Sequence, residues 1–144
     1  MPKFPLKFEV TAKATSGIGK SWTIQEGSQE PVNCAIPPDF HGPGGAYSPE
    51  GLFGAAITSC IIAVFKVLTD KSNISFATVD GKAMMTMDFI TEDYILSITE
   101  VDFIFDITGA SDIDKAKSLM GEAIKTCPIS NSIKCGKTYN INVN

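Results

Sequence analysis

Ser48-Pro49-Glu50-Gly51-Leu52-Phe53-Gly54-Ala55-Ala56-Ile57-Thr58-Ser59-Cys60-Ile61-Ile62-Ala63-Val64-Phe65-Lys66-Val67-Leu68 is the stretch on which the fold turns. Its start is marked three ways. Ser48 offers a side-chain oxygen as N-cap, Pro49 suits the first helical position, and Glu50 complements the positive helix end. The helix is expected to close near Asp70-Lys71-Ser72-Asn73. Thr58, Ser59, Cys60 and Lys66 interrupt the apolar run, so it falls short of the roughly 20 residues of a membrane span and reads as a buried core helix. Apolar nearly all round, it needs cover on most sides, and one modest sheet covers only one. A second copy of the chain is the simplest further cover. Gly51, Gly54, Ala55, Ala56 and Ser59 would let another helix come close.

Outward from this helix the pattern is mostly strand. From Phe4 to Ala14, Phe4, Leu6, Phe8 and Val10 alternate with Pro5, Lys7 and Glu9, the period of a half-buried strand. After a turn at Ser16-Gly17-Ile18-Gly19-Lys20, Trp22-Thr23-Ile24 and Val32-Asn33-Cys34-Ala35-Ile36 extend this to a meander. The proline- and glycine-rich run Pro37 to Gly45 is a loop without regular structure. Beyond the helix, Ile74 to Ile90 and Tyr94 to Thr108 read as a second antiparallel group. Ser111-Asp112-Ile113-Asp114 resembles a capping box with Asp in place of Glu. It opens a helix carrying Ile113, Ala116, Met120, Ala123 and Ile124 on one face and stopping at Pro128. Tyr139, Ile141 and Val143 mark a final strand.

Composition narrows the function. At 144 residues and 44% hydrophobic content the chain reads as a single domain, residues 1–144. A net charge of −4 with scattered lysines argues against nucleic acid. The alternating Met1-Pro2-Lys3-Phe4-Pro5 lacks the apolar run of a secretory leader, so a cytoplasmic setting is expected, with no membrane partner. All 12 cations are lysine, so no planar two-pronged donor is available. Neither a Cys-x-x-Cys pair nor a histidine cluster is present, so no metal site is expected and His41 reads as a loop residue. No phosphate-binding glycine fingerprint is present, and no cofactor is implied.

Of the cysteines at 34, 60, 127 and 135, two sit in distinctive settings. Cys60 lies deep in the long helix, and Cys127 opens Cys127-Pro128-Ile129-Ser130 just past the second helix. A thiol that attacks peroxide must be ionised and reachable, and a second thiol commonly recycles it. The plain alternative for Cys60 is a small packing residue. Cys60 is too far from the helix start to draw on its dipole, so reactivity there needs a nearby cation. Cys135 is a rival resolving thiol, and Cys34, in a strand, reads as structural.

Ser48-Pro49-Glu50-Gly51-Leu52-Phe53 followed by Ser59-Cys60, and then Cys127-Pro128-Ile129-Ser130, occur in an order of elements that resembles the OsmC/Ohr family. The resemblance implies an α+β, OsmC-like two-layer fold: antiparallel sheets, a long buried central helix and an intertwined homodimer with sites at the subunit interface. It implies a cysteine-based peroxidase acting on organic hydroperoxides, with Cys60 matching the attacking cysteine and Cys127 the resolving one. In the Ohr branch an arginine pairs with the attacking thiolate and a glutamate holds that arginine. Glu50 matches the glutamate, while Lys20 falls near the arginine position. An ammonium stabilises a thiolate but lacks the fork that would also grip Glu50. Lys66 lies on another helix face and reads as solvent-reaching.

Glu50 and Cys60 lie ten residues apart on one helix, roughly 15 Å along its axis, so a joint site would take Glu50 from the partner chain. The expected protein is therefore an enzyme, a thiol peroxidase that reduces organic hydroperoxides through a Cys60 sulfenic acid and a Cys60–Cys127 disulfide. An external dithiol, for which the family suggests a lipoyl group, restores the thiols. Phe40, Phe53 and Phe65 are candidate walls for an apolar substrate, with core packing as the alternative. Two other readings stay open: an OsmC-like binder of a small apolar or thiol-reactive ligand, favoured by the missing arginine, and a structural dimer module with an inert Cys60.

Overall fold

The computed structural model describes residues 2–90 and 94–144; Met1 and residues 91–93 lie outside the described set. It comprises two compact units, residues 1–52 and 53–144.

The first unit holds an antiparallel meander of β1 (Val10–Lys13), β2 (Trp22–Glu26) and β3 (Val32–Cys34). Val10 faces Glu26 and Lys13 faces Thr23, while Trp22 faces Cys34. The alternating Phe4 to Val10 segment, expected to be strand throughout, joins the sheet only from Val10. Alternation reports which side chains could be covered, and the five residues of β2 give the earlier part no partner. A turn with Gly17 at φ 118° carries the chain from β1 to β2, its Lys20 N–H donating to the Gly17 carbonyl at 3.1 Å. The expected loop from Pro37 contains one regular element, a 3-10 turn at Pro38–Phe40 that ends at His41 in the left-handed conformation.

Next comes α1 (Pro49–Lys71), in which Ser48 caps the start by accepting from the Gly51 N–H at 3.0 Å. Among the described residues it is the helix long and apolar enough to cross a membrane, with a mean hydropathy of 2.0. One stripe of it, Gly54, Ile57, Ile61, Phe65 and Thr69, is buried. That spacing of three and four residues is the inward face of a core helix.

The second unit continues with β4 (Thr78–Phe89), β5 (Leu96–Thr108), α2 (Ile113–Thr126), α3 (Pro128–Asn131) and β6 (Gly136–Val143). The sheet order is β4-β5-β6. β4 and β5 are antiparallel, but β6 runs parallel to β5, which corrects the expectation of purely antiparallel sheets. A parallel neighbour needs a crossover, and α2 with α3 supplies it. Asp112 rather than Ser111 caps α2, accepting from the Lys115 N–H at 2.9 Å. Ser111 instead accepts from the Ser75 N–H.

The core of this unit joins the α1 stripe to Val101, Phe103, Phe105 and Ile107 of β5 and to Ala116, Leu119, Met120 and Ala123 of α2. Each large apolar side chain so buried contributes about 1.5–3 kcal/mol. Ile113, expected inward, is half exposed, and Leu119 takes the inward place instead. Gly54 and Gly81 mark where helix and sheet come closest. A Cβ on Gly81 would lie 2.6 Å from Thr58 Cγ2, and one on Gly54 2.8 Å from Met85. Gly54 thus serves packing against β4, while Ala55, Ala56 and Ser59 remain exposed.

Candidate functional site

Pro128 dictates the local structure around Cys127. Its ring disfavours helical geometry in the residue before it, so Cys127 is extended, with φ −64° and ψ 114°. The chain stops being α2 there and begins α3 with proline at the first position. Cys127 is therefore both the end cap of one helix and the start cap of the next, its Sγ accepting from the Ser130 N–H at 3.4 Å. The second helix stops just before Pro128, as expected, and a separate four-residue turn, α3, follows it.

Cys127 is fully buried in the core, and Cys60, beside Ile61 and one turn past Ile57, packs against the same cluster while remaining partly exposed. The two thiols are neighbours there, close enough for Cys60 to bear on the ionisation of Cys127. Burial first, then the neighbouring Cys60 thiol, push the Cys127 thiol up to about 11, against the pull of the Ser130 and Ile129 N–H groups. One thiol of the pair is thus reachable and the other is sealed and holds its proton.

The remaining predicted residues distribute as follows. Lys20 is exposed, in the turn before β2, and Glu50 is in the first turn of α1, both in the first unit. Glu50 is only partly buried, yet its Oε2 is sealed from solvent and accepts no hydrogen bond from the described residues. Phe40 is 40% exposed in the 3-10 turn. Phe53 is half-buried and lines an open cleft of about 350 Å³ with Ser97, Ile98, Ile133, Lys134 and Cys135. Phe65 is 0% exposed and packs on Phe76 with ring centroids 5.2 Å apart. It belongs to the core, which corrects its reading as a substrate wall. Cys34 is buried in β3, Lys66 is exposed and Cys135 is half-buried. Among the described residues no group of three or more His, Cys, Asp or Glu side chains could hold a metal ion. A larger concavity of about 580 Å³ in the first unit, lined by Val32, Asn33, Gly45, Ala46 and Tyr47, carries no thiol.

Sequence reasoning gave Ser130, Lys137 and Tyr139 no role in the site, yet all three gather at the Cys127 turn. The Ser130 and Tyr139 hydroxyls lie 3.1 Å apart, and the Lys137 ammonium donates to the Ser130 and Ile133 carbonyls at 2.8 and 3.1 Å. A signal existed: extending the alternation of Tyr139, Ile141 and Val143 back by two places puts a lysine on the inward face.

The family model described as OsmC-like protein matches residues 42–142. Among solved structures, an OsmC-like protein of unknown function from Vibrio cholerae has a TM-score of 0.82 at 16% identity, covering 95% of this chain and 99% of that one. An organic hydroperoxide resistance protein OsmC from Legionella pneumophila has a TM-score of 0.74 at 22% identity, with 99% of both chains covered. The organic hydroperoxide resistance protein OhrB of Bacillus subtilis has a TM-score of 0.69 at 17% identity, covering 96% of this chain and 98% of that one. Among curated proteins, none matches the sequence. The fold is shared nearly end to end and the family model spans most of the chain, which therefore belongs to the OsmC/Ohr family.

Proposed function

We propose that the protein is a thiol peroxidase that reduces organic hydroperoxides to alcohols. The observation that carries this reading is the placing of Cys60 and Cys127 as neighbours at one core cluster, one partly exposed and the other buried. Cys127 keeps its proton at neutral pH, so attack falls to Cys60. The Cys60 sulfur attacks the terminal oxygen, the O–O bond breaks as the S–O bond of a sulfenic acid forms, and the displaced alkoxide picks up a proton to leave as alcohol. The Cys127 sulfur then attacks the sulfenic sulfur, and water departs as the disulfide forms. A dithiol such as a lipoyl group exchanges with that disulfide and is itself oxidised.

The cleft at Phe53 fits the organic part of such a substrate. Its volume of about 350 Å³ is in the range of small-molecule sites, and Phe53 lies two turns before Cys60 on the same face of α1, about 10 Å along the axis.

Three features support action as a homodimer. The most apolar window of α1 is only 22% buried in one chain. Phe4 and Phe8 are 77% and 78% exposed. The sealed Oε2 of Glu50 is the kind of acceptor that requires a donor. A second copy would cover the apolar surfaces and bring the first unit of one chain, with Lys20 and Glu50, to the thiols of the other. A reducing cytoplasm would keep the cycle supplied with dithiol.

Stopped-flow mixing of the reduced protein with cumene hydroperoxide tests the proposal. Fast oxidation, with turnover sustained by dihydrolipoamide, is the expected result. The absence of arginine favours one competing reading, a ligand-binding OsmC-like protein. Slow oxidation with retained affinity for cumyl alcohol would establish that reading instead.

A further inference from the structure

β6 turns every second side chain inward: Lys137, Tyr139, Ile141 and Val143 are half-buried, while Thr138, Asn140 and Asn142 are exposed. The last two inward positions carry apolar side chains suited to the core. The first carries an ammonium, which is costly to bury unless its donors are satisfied. Lys137 Nζ meets this need on α3, donating to the carbonyls of Ser130 and Ile133. Two residues on, the Tyr139 hydroxyl reaches the Ser130 hydroxyl, while its ring stacks on Phe103 at 5.1 Å and 10°. Phe103 is fixed in the core and stacks in turn on Phe105.

Ser130 is thus held at every polar atom it owns. Its carbonyl accepts from Lys137, its hydroxyl pairs with Tyr139, and its N–H donates to Cys127 Sγ. A four-residue helix has too few internal hydrogen bonds to hold its own shape, so these external bonds decide where it sits. The one sulfur in this turn is the sulfur that neighbours Cys60 in the core cluster. Disulfide geometry tolerates little error in the placement of the two sulfurs.

From this arrangement we infer that Lys137 and Tyr139 are positioning residues which, through Ser130, hold the Cys127 sulfur where it closes on Cys60. The inference rests on the proposed Cys60–Cys127 disulfide, but not on peroxide as the oxidant. It goes beyond the two-cysteine cycle by assigning control of the second step to one edge of β6.

The test is the equilibrium of the pair with reduced and oxidised glutathione, read by acid quench, alkylation and peptide mapping. In that exchange two glutathione thiols reduce the Cys60–Cys127 disulfide and leave as glutathione disulfide. Tyr139→Phe and Lys137→Met are each expected to make the disulfide about tenfold easier to reduce, about 30 mV. Lys137→Arg keeps both donors on the two carbonyls and is expected to stay within about twofold of the parent. Thermal unfolding of the reduced proteins separates this from general weakening: a purely structural role lowers the melting temperature and leaves the glutathione equilibrium in place. Parent-like equilibria in both Tyr139→Phe and Lys137→Met would overturn the inference, as would failure of the parent to form the disulfide at any glutathione ratio. If the parent forms it yet ignores cumene hydroperoxide, the peroxidase reading falls, and the variants still decide the positioning claim.

Discussion

Cys60 and Cys127 are neighbours at one core cluster, although one comes from the middle of α1 and the other from the break between α2 and α3. The asymmetry of the pair matters more than the nearness alone. Cys60 is partly open, while Cys127 is sealed, protonated and fixed as a helix cap. Roles follow from that difference, with the open sulfur reacting first and the buried one waiting against it.

Removing the second sulfur should therefore separate the two steps. Cys127→Ser is expected to consume one equivalent of cumene hydroperoxide and stop, with the Cys60 sulfenic acid trapped by dimedone and seen by mass. Cys60→Ser should consume none beyond background, a loss of at least about a hundredfold in the initial rate.

The raised pKa of Cys127 gives stability a defined dependence on pH. The thiol moves from 9.0 to about 11 on folding, so between these values the folded chain holds a proton that the unfolded chain has released. This contribution is complete below pH 9 and is lost as pH rises through 11. The melting temperature of the reduced protein should fall between about pH 9 and about pH 11, and Cys127→Ser should flatten part of that fall. Equal slopes in the two proteins would remove Cys127 as the source.

Gly81 tests the packing of α1 on β4. An added methyl there meets Thr58, Phe105 and Ile62, and of these Phe105 is fixed in the core. Gly81→Ala is expected to cost about 1–3 kcal/mol in chemical denaturation. Gly54→Ala, whose new methyl would come nearest to the end of the flexible Met85, should cost less.

Subunit mixing tests whether Glu50 acts across the dimer. If the site pairs Cys60 of one chain with Glu50 of the other, Cys60→Ser and Glu50→Gln chains refolded together share one intact site in each mixed dimer. Random assembly then restores about a quarter of the parent activity, where either variant alone is nearly silent. If both residues act within one chain, mixing restores nothing. Lys20→Ala should slow the peroxide step about tenfold, read in single turnover.

Much of this was legible in the residues, for local reasons. Ser48-Pro49-Glu50 announces the start of α1 because capping is a property of adjacent residues, and the Ser48 to Gly51 hydrogen bond follows from it. The Cys127-Pro128 break was legible for the same reason. The direction of β6 was not, since inward alternation is the same in parallel and antiparallel strands. Nor was the extent of β1, because a strand ends where its neighbour ends. Phe65 could not be told from a pocket wall by type alone; its place on the inward stripe of α1 makes it core. The grip of Lys137 and Tyr139 on Ser130 depends on the parallel return of β6, which no local pattern reveals.

The most direct measurement is a single turnover of the reduced protein with one equivalent of cumene hydroperoxide, quenched in acid with an alkylating agent and mapped by mass spectrometry. The account predicts one intrachain disulfide between Cys60 and Cys127, with Cys34 and Cys135 recovered alkylated. A product in which Cys60 remains a free thiol, or is joined to any other cysteine, would contradict it.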